Sequence, residues 1–354
     1  MDRRSFFKYA SFSGAMTAFL GGLHPALALT WQKIGTTSGG GVSKVRLPRK
    51  PYRMLGGGSL ACGYSHSSAL RSDGLVFACG HNLYGQLGVN SVVYKSTYVQ
   101  AAGVSSVVAL ACGYYHSLAL RSDGLVFACG YNNYGQLGVN STVNKSSFVQ
   151  AVGGSNVVAL AAGHAHSLAL RSDGLVFACG ANAYGWLGVN SIVNKSSFVQ
   201  AVGVSNIVAL AAGGMHSLAL RSDGLVFACG YNGHGQLGDN SAVSKLTYVQ
   251  AVGVSSVVAL AAGHIHSLAL RSDGLVFACG YNGYGQLGVN SVNDKLTFVQ
   301  AVGVSSVVAL AAGGKQSLAL RSDGLVFASG HDGYGQLGDN SVVYKSTFVQ
   351  AVSP

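Results

Sequence analysis

The strongest constraint on this chain is a repeat of fifty residues that recurs six times. Every copy contains the run Arg-Ser-Asp-Gly, whose Asp recurs 50 residues further along in the next copy. The six equivalent residues are Asp73, Asp123, Asp173, Asp223, Asp273 and Asp323. Periods of about 20 to 50 residues are typical of solenoids and propellers, in which each repeat packs against its neighbours. The 354 residues therefore indicate one repeat domain.

The composition favours an all-β fold. The chain is 49% hydrophobic, contains 51 glycines and no Glu, and only 9% of its residues are charged. Disordered chains have the opposite balance of charge and hydrophobicity. Val-rich runs separated by glycines are typical of short strands joined by tight turns.

One unit contains four predicted strands. In the third copy they cover residues 157–162, 166–170, 175–179 and 198–202. The link from Arg171 to Gly174 predicts a tight hairpin, because Asp-Gly tolerates the positive φ that such turns require.

These strands are apolar on both faces, so each sheet must lie between two others. A ring of sheets satisfies this condition, whereas a linear stack leaves an apolar sheet face exposed at each end. The sequence therefore predicts a single β-propeller of six four-stranded blades. Residues 348–352 have no unit after them. We expect them to complete the first blade, which begins near Met54, and so to close the ring.

A family resemblance follows from two runs within the repeat. Residues 116–138 contain His-Ser-Leu-Ala-Leu-x-x-Asp-Gly followed by Gly-x-Asn-x-x-Gly-Gln-Leu-Gly. This pattern resembles the repeat of the regulator of chromosome condensation family over about residues 55–352. The resemblance implies a β-propeller, which in this family typically has seven blades. Cys or Ser329 stands where the family usually has Trp, and the usual Pro before the fourth strand is absent.

The domain boundaries follow from the repeat. We predict a signal peptide in residues 1–28, a basic leader in residues 29–54 and the propeller in residues 55–354. The six repeats cover about residues 55–100, 101–150, 151–200, 201–250, 251–300 and 301–354. Residues 29–57 would make the number of blades seven if they contributed part of one, although they contain neither His-Ser-Leu-Ala-Leu nor Gly-Gln-Leu-Gly.

The first residues predict export. The run from Arg3 to Lys8 (Arg-Arg-Ser-Phe-Phe-Lys) resembles the twin-arginine motif, and a short apolar stretch and a small-x-small end follow it. We expect cleavage after Ala28 and a mature bacterial protein in the periplasm or medium, without a membrane span. An amphipathic N-terminal helix is the alternative, but no polar stripe supports it.

The net charge of +11 belongs to the N-terminal part of the chain. Six cations and no acids lie between Leu29 and Gly57, whereas the repeats are nearly neutral; the six are Lys33, Lys44, Arg46, Arg49, Lys50 and Arg53. Such a segment could contact phosphates, but a solvated linker is the commoner role. We therefore do not expect nucleic acid as the partner.

Two rings of reactive residues are predicted to be structural. The His ring comprises His66, His116, His166, His216 and His266, with Gln316 in the sixth place. Since Gln cannot replace a ligating imidazole, we expect each His to donate to backbone within its own blade. We likewise interpret the seven Cys as small apolar residues.

No catalytic site, metal or cofactor is therefore predicted. His164 and His264 form His-x-His pairs with the His ring, but no carboxylate or Cys completes a site. A His-based hydrolase or metal site is kept as a second alternative.

Differences between the copies concentrate on one face of the predicted ring. Loops after the first and third strands share that face, whereas the Arg-Ser-Asp-Gly turns lie opposite and are identical. Loops on a rigid scaffold that carry aromatic residues are typical of binding surfaces. The candidate partner-binding residues are Tyr64, Tyr114, Tyr115, Tyr131, His164, Tyr184, Trp186, Met215, Tyr231, His234, His264, Tyr281, Lys315 and His331. Neutral drift between duplicated loops is the alternative interpretation.

The sequence thus predicts an exported, monomeric protein-binding scaffold, acting as an inhibitor or adaptor on an unidentified protein partner. The family resemblance adds a further alternative, a regulator similar to guanine-nucleotide exchange factors or a host-directed effector. Exchange activity in the family depends on acidic loop residues that we do not find in this sequence.

Overall fold

The computed structural model describes residues 60–352. All the regular secondary structure in this range is β-strand. Within these residues no helix is long and apolar enough to cross a membrane. The predicted signal peptide, leader and partial seventh blade, residues 1–28, 29–54 and 29–57, lie outside the described residues.

The strands form six antiparallel sheets of four, and strand order within each sheet follows the chain. Blades 1 to 3 consist of β1 (Leu60–Cys62), β2 (His66–Leu70), β3 (Val76–Gly80), β4 (Lys95–Gln100); β5 (Val107–Cys112), β6 (His116–Arg121), β7 (Val126–Gly130), β8 (Lys145–Gln150); and β9 (Val157–Ala162), β10 (His166–Arg171), β11 (Val176–Gly180), β12 (Lys195–Gln200). Blades 4 to 6 consist of β13 (Ile207–Ala212), β14 (His216–Arg221), β15 (Val226–Gly230), β16 (Lys245–Gln250); β17 (Val257–Ala262), β18 (His266–Arg271), β19 (Val276–Gly280), β20 (Lys295–Gln300); and β21 (Val307–Ala312), β22 (Gln316–Arg321), β23 (Val326–Gly330), β24 (Lys345–Gln350). Each repeat builds one blade, which confirms the predicted fold.

The fourth strand of each blade is where the strand prediction was least accurate. In the third repeat β12 covers Lys195–Gln200, whereas the prediction placed it at residues 198–202. This strand is the outermost of its sheet, so it begins with the polar run Lys-Ser-Ser and lacks an apolar signal. The Ala201 amide still donates to the Val176 carbonyl, at 2.8 Å, as the chain leaves the blade.

The hydrophobic core lies between blades. Leu168 and Leu170 of blade 3 pack in one cluster with Leu210 and Phe227 of blade 4, and similar clusters join other pairs of blades. Because each sheet of blades 2 to 5 buries both faces against its neighbours, most of the stability of these repeats comes from their two interfaces.

The His ring joins successive blades. The Nε2 atoms of His66, His116, His166, His216 and His266 lie 2.9–3.0 Å from the Oγ of a Ser in the next blade. Each of these Ser hydroxyls donates to a backbone carbonyl of the preceding blade, as Ser117 does to Gln86 at 2.7 Å. The Ser oxygen therefore accepts the Nε2 proton. The prediction that each His donates to backbone within its own blade was wrong.

The predicted closure of the ring by residues 348–352 was also wrong. β24 pairs with β23 of its own repeat, and blade 1 has its own fourth strand, β4. The prediction failed because it did not count β4, the fourth strand of the first repeat, as the strand that completes blade 1. Among the described residues, Gln316 makes no bond to Ser67, and its Oε1 accepts instead from the Lys315 amide at 3.2 Å.

Within each Arg-Ser-Asp-Gly turn, the Arg and Asp side chains form an ion pair with each other. In each turn Arg pairs with the Asp two residues later, as Arg121 does with Asp123. The same guanidinium lies over the Phe of the following strand, 4.7–5.2 Å from the ring centre. The Asp carboxylate also accepts from the Leu amide of the turn, as Asp123 does from Leu125 at 3.2 Å. These contacts explain the identity of this turn in all six copies.

Candidate partner-binding face

In repeats 1 to 5, the long loop after the third strand is held in shape by one buried Asn. In the third repeat, Asn182 Oδ1 accepts from the Leu187 amide at 3.0 Å, and its Nδ2 donates to the carbonyls of Ser191 and Val193. Asn82, Asn132, Asn232 and Asn282 do the same in their repeats. Fixed loops of this kind can present side chains to a partner with little loss of conformational entropy.

Antiparallel pairing places the loops after first and third strands on one face, as predicted. Aromatic rings on these loops form a first aromatic arc across repeats 1 to 3. Its members are His81, Tyr84, Tyr94, Tyr64, Tyr114, Tyr115, Tyr131, Tyr134 and His164. The Tyr64 and Tyr114 rings are stacked with centres 3.9 Å apart, and Tyr115 meets Tyr114 edge-on at 4.8 Å.

A second aromatic arc follows along repeats 3 to 6. It runs through Tyr184, Tyr231, His234, Tyr281, Tyr284, His331, Tyr334 and Tyr344. Lys315 joins this arc, because its Nζ lies 4.6 Å from the centre of the Tyr284 ring and donates to the Tyr284 hydroxyl at 3.1 Å. His234 pairs with Asp294 at 2.8 Å. The predicted residues Tyr131 and Tyr184 therefore belong to different arcs.

Trp186 and Met215 lie at the break between the two arcs. The Trp186 side chain is only 8% exposed and packs with Ala165, Ala181 and the half-buried Met215. A buried indole cannot act as a surface anchor, so we assign Trp186 to the support of the face and not to its contact surface.

The centre of the face is a cavity of about 270 Å³ lined by loops from all six repeats. Its larger side chains are those of Tyr64, Tyr114, His164, His264, Ile265, Tyr281 and Lys315. Burial, followed by the repulsion of His264, lowers the pKa of His164. Burial and then the charge of Lys315 lower the pKa of His264. Both imidazoles are therefore neutral near pH 7.

Several aromatic residues of this face were missed by the sequence reasoning. Tyr84, Tyr134 and Tyr284 occupy the same position in their repeats, within the run Tyr-Gly-Gln-Leu-Gly. The prediction included Tyr184 and His234, which occupy this position in repeats 3 and 4, but not these three residues. An aromatic residue beside a loop glycine was the signal that could have identified it, since Tyr at such a position is exposed or half-buried.

The reactive side chains do not assemble into a metal centre in the described part of the chain, where no three His, Cys, Asp or Glu residues come together. All seven Cys are free thiols. Five are buried, and Cys62 and Cys79 in blade 1 are half-buried. Cys129 illustrates why the position is small: its Sγ lies 3.5 Å from the Gln86 carbonyl of the preceding blade.

Comparison with protein families decides the affiliation. Residues 105–353 match the RCC1-like domain, and residues 73–120 and 59–86 match the regulator of chromosome condensation (RCC1) repeat. The chain belongs to the RCC1-like domain family. No curated protein matches its sequence significantly.

Solved structures share the RCC1-like fold. Human WBSCR16 has a TM-score of 0.75 and 24% identity, covering 97% of this chain and 94% of its own. Yeast RCC1 (Prp20), solved with Kap60 bound, has a TM-score of 0.73 and 23% identity over 83% of this chain and 74% of its own. A second structure, of Prp20p from Saccharomyces cerevisiae, is described with its binding to Gsp1p and histones. It has a TM-score of 0.70 and 24% identity, covering 83% of this chain and 76% of its own.

Proposed function

We propose that this chain is an exported RCC1-like propeller that binds a protein partner through its aromatic loop face. The observation that carries the proposal is the first aromatic arc, in which interlocked Tyr rings stand on rigid loops. Tyr is enriched at binding hot spots because it offers a large contact area at low entropic loss. The opposite face supports the same conclusion, because its Arg and Asp side chains already satisfy one another.

Relatives of the same fold bind proteins. The printed description of yeast RCC1 names Kap60 as its bound partner, and that of Prp20p names Gsp1p and histones. The family thereby favours a protein over a small molecule as the partner. An inhibitor or adaptor role outside the cytoplasm fits both the predicted signal peptide and the loop face.

A hot spot at Tyr115 is the first expected result. Its ring contacts those of Tyr64, Tyr84 and Tyr114 and lies at the middle of the first aromatic arc. With residues 29–354 as bait, a partner retained from the periplasm or medium should bind Tyr115→Ala about tenfold more weakly, a loss of about 1.4 kcal/mol. Affinity is measured by calorimetry on the purified partner.

Arg171→Ala is the matched control on the opposite face, and its affinity should equal that of the unsubstituted protein. Melting curves of both variants check that they are folded. If Arg171→Ala loses the partner while Tyr115→Ala keeps it, the proposed face is the wrong one.

Export depends on the first residues. We expect the double substitution Arg3→Lys and Arg4→Lys to leave the precursor in the cytoplasm, because the twin-arginine route reads the guanidinium pair. Immunoblots of cytoplasmic and periplasmic fractions measure the result. A mature-sized product in the periplasm of the double variant would exclude this route, while Lys8→Arg serves as a control that should export normally.

A further inference from the structure

One loop position from each repeat lines the central cavity of the loop face. It directly follows the glycine after each first strand, and that glycine is the same in all six copies. The position itself varies, and in repeat order its residues are Tyr64, Tyr114, His164, Gly214, His264 and Gly314. The centre of the face therefore has two phenol rings, two imidazoles and two places without a side chain.

The two imidazoles come close to each other although His164 and His264 belong to repeats 3 and 5. The centres of their rings are 6.3 Å apart, and we name them the His pair. Gly214, from the repeat between them, provides the space, because a Cβ at this residue would lie 2.4 Å from His264 Nδ1. A Cβ at Gly314 would meet no atom within 4 Å. The His pair therefore depends on glycine at one particular place in the ring.

The cavity is rich in hydrogen-bond donors. A neutral imidazole and a phenol each donate one hydrogen, and an ammonium donates three. The backbone carbonyls of the lining are already used, since those of Gly163 and Gly213 accept from the amides of Tyr114 and His164 at 3.3 Å. Among the described residues, the lining includes no Asp or Glu. Its polar side chains are those of Tyr64, Tyr114, His164, His264, Tyr281 and Lys315.

The electrostatics of the cavity favour negative charge. The titratable groups that face the His pair are Lys315 and the phenols of Tyr64, Tyr114 and Tyr281. Burial and then the neighbouring Tyr64 raise the pKa of Tyr114, so its hydroxyl keeps its proton. The charge of Lys315, after burial, lowers the pKa of His264. Within the described lining no carboxylate balances Lys315, and a positive charge in a cleft attracts anions.

We propose that the central cavity binds a small anion, whose carboxylate or phosphate group is held by the His pair and Lys315. The volume of about 270 Å³ lies below the usual range of drug-sized pockets, about 300–1,000 Å³, so the anion is small. Tyr64, Tyr114 and Ile265 offer the apolar surface that the body of an organic anion requires. Such an anion needs no protein partner, so its binding holds or fails independently of the proposed partner-binding function.

Titration calorimetry on residues 29–354 tests the proposal with benzoate, benzamide and benzamidinium. The three compounds share one ring and nearly one size, but carry a negative, no and a positive charge. We expect benzoate to bind about tenfold more tightly than benzamide, and benzamidinium to bind least, because hydrogen bonds to a charged acceptor are stronger than those to a neutral one. Equal affinity for the three compounds, or no binding of either benzoate or inorganic phosphate, would overturn the proposal.

Lys315→Gln should weaken benzoate about tenfold and leave benzamide unchanged, because it removes the charge and keeps a donor. Lys195→Gln is the matched control, since it removes the same charge from the start of β12, outside the cavity. Equal losses in the two variants would show a general effect of net charge and would contradict a site at Lys315.

Proton uptake gives a readout that belongs to the His pair. A bound anion favours the charged form of an imidazole and so raises the pKa of His164 and His264 from their lowered values. Benzoate should therefore bind more tightly as the pH falls from about 7.5 to about 5.5 and should take up protons. Calorimetry in buffers of different ionisation enthalpy measures this uptake. His264→Gln, which keeps a donor but does not titrate, should reduce it. Equal uptake in the two proteins would contradict the role of the His pair.

Gly214→Ala tests the space that the pair requires. Its Cβ would displace the His264 imidazole, so benzoate should bind this variant more weakly than Gly314→Ala, and melting curves check that both are folded. Equal affinity in the two Ala variants would contradict the arrangement. A capped tripeptide with one Asp carries the same charge as benzoate on a larger body. Tighter binding of the peptide than of benzoate would assign the cavity to a protein side chain and overturn the small anion.

Discussion

Stability is expected to fall steeply as the pH is lowered from 6.5 towards 3, because five buried imidazoles must remain neutral in the fold. Burial, as the largest cause, lowers the pKa of His66 to about 4 and that of each of the other four to about 3. The unfolded chain takes up protons near pH 6.5, whereas the folded chain does not. Each His should therefore lower the free energy of unfolding by about 1.4 kcal/mol for each pH unit between the unfolded and the folded pKa.

Urea unfolding at a series of pH values measures this effect. The stabilisation is complete above pH 6.5 and is lost as the pH falls through the folded pKa values. The Asp carboxylates of the Arg-Ser-Asp-Gly turns also have lowered pKa values, but they change the free energy of unfolding only at pH values below the ordinary pKa of Asp. His216→Gln should reduce the slope of the free energy of unfolding against pH, near pH 5, by the contribution of one His, about 1.4 kcal/mol per pH unit. A flat free energy of unfolding between pH 6.5 and 4.5 would contradict the buried, neutral His ring.

Gly163→Ala is expected to lower the free energy of unfolding by about 1 to 3 kcal/mol, the usual range for overpacking. A Cβ at Gly163 would lie 2.3 Å from His166 Cε1 and 2.5 Å from the Gly213 carbonyl oxygen of the next blade. The carbonyl cannot move away unless the two blades separate. Thermal and urea unfolding of the variant measure the loss.

Gly313→Ala is the matched control for this substitution. The same position in the sixth repeat has no following blade among the described residues, and its nearest neighbours are atoms at the flexible end of the Gln316 side chain. That side chain can rotate, so the change should stay within about 0.5 kcal/mol. Equal losses in the two variants would show that the close approach of the blades is not what requires glycine at residue 163.

The loop face was predicted in outline and corrected in detail. The side of the ring on which the variable loops lie followed from strand direction alone. Which rings touch did not follow, because Tyr64 and Tyr114 belong to different repeats and meet only when the blades are stacked. The burial of Trp186 was equally invisible, since it depends on how Ala165, Ala181 and Met215 pack around the indole.

By itself, the sequence determined the number of repeats, the four strands of each blade, the hairpin at Arg-Ser-Asp-Gly and the family. These features rest on local periodicity and turn chemistry, which act within one repeat. Only the tertiary structure decided what joins the repeats. The His66–Ser117 bond links residues 51 positions apart, and the partner of each His is chosen by the next blade. The same physical reason applies between blades 6 and 1, where, among residues 60–352, Gln316 makes no bond to Ser67 and the repeated contacts stop.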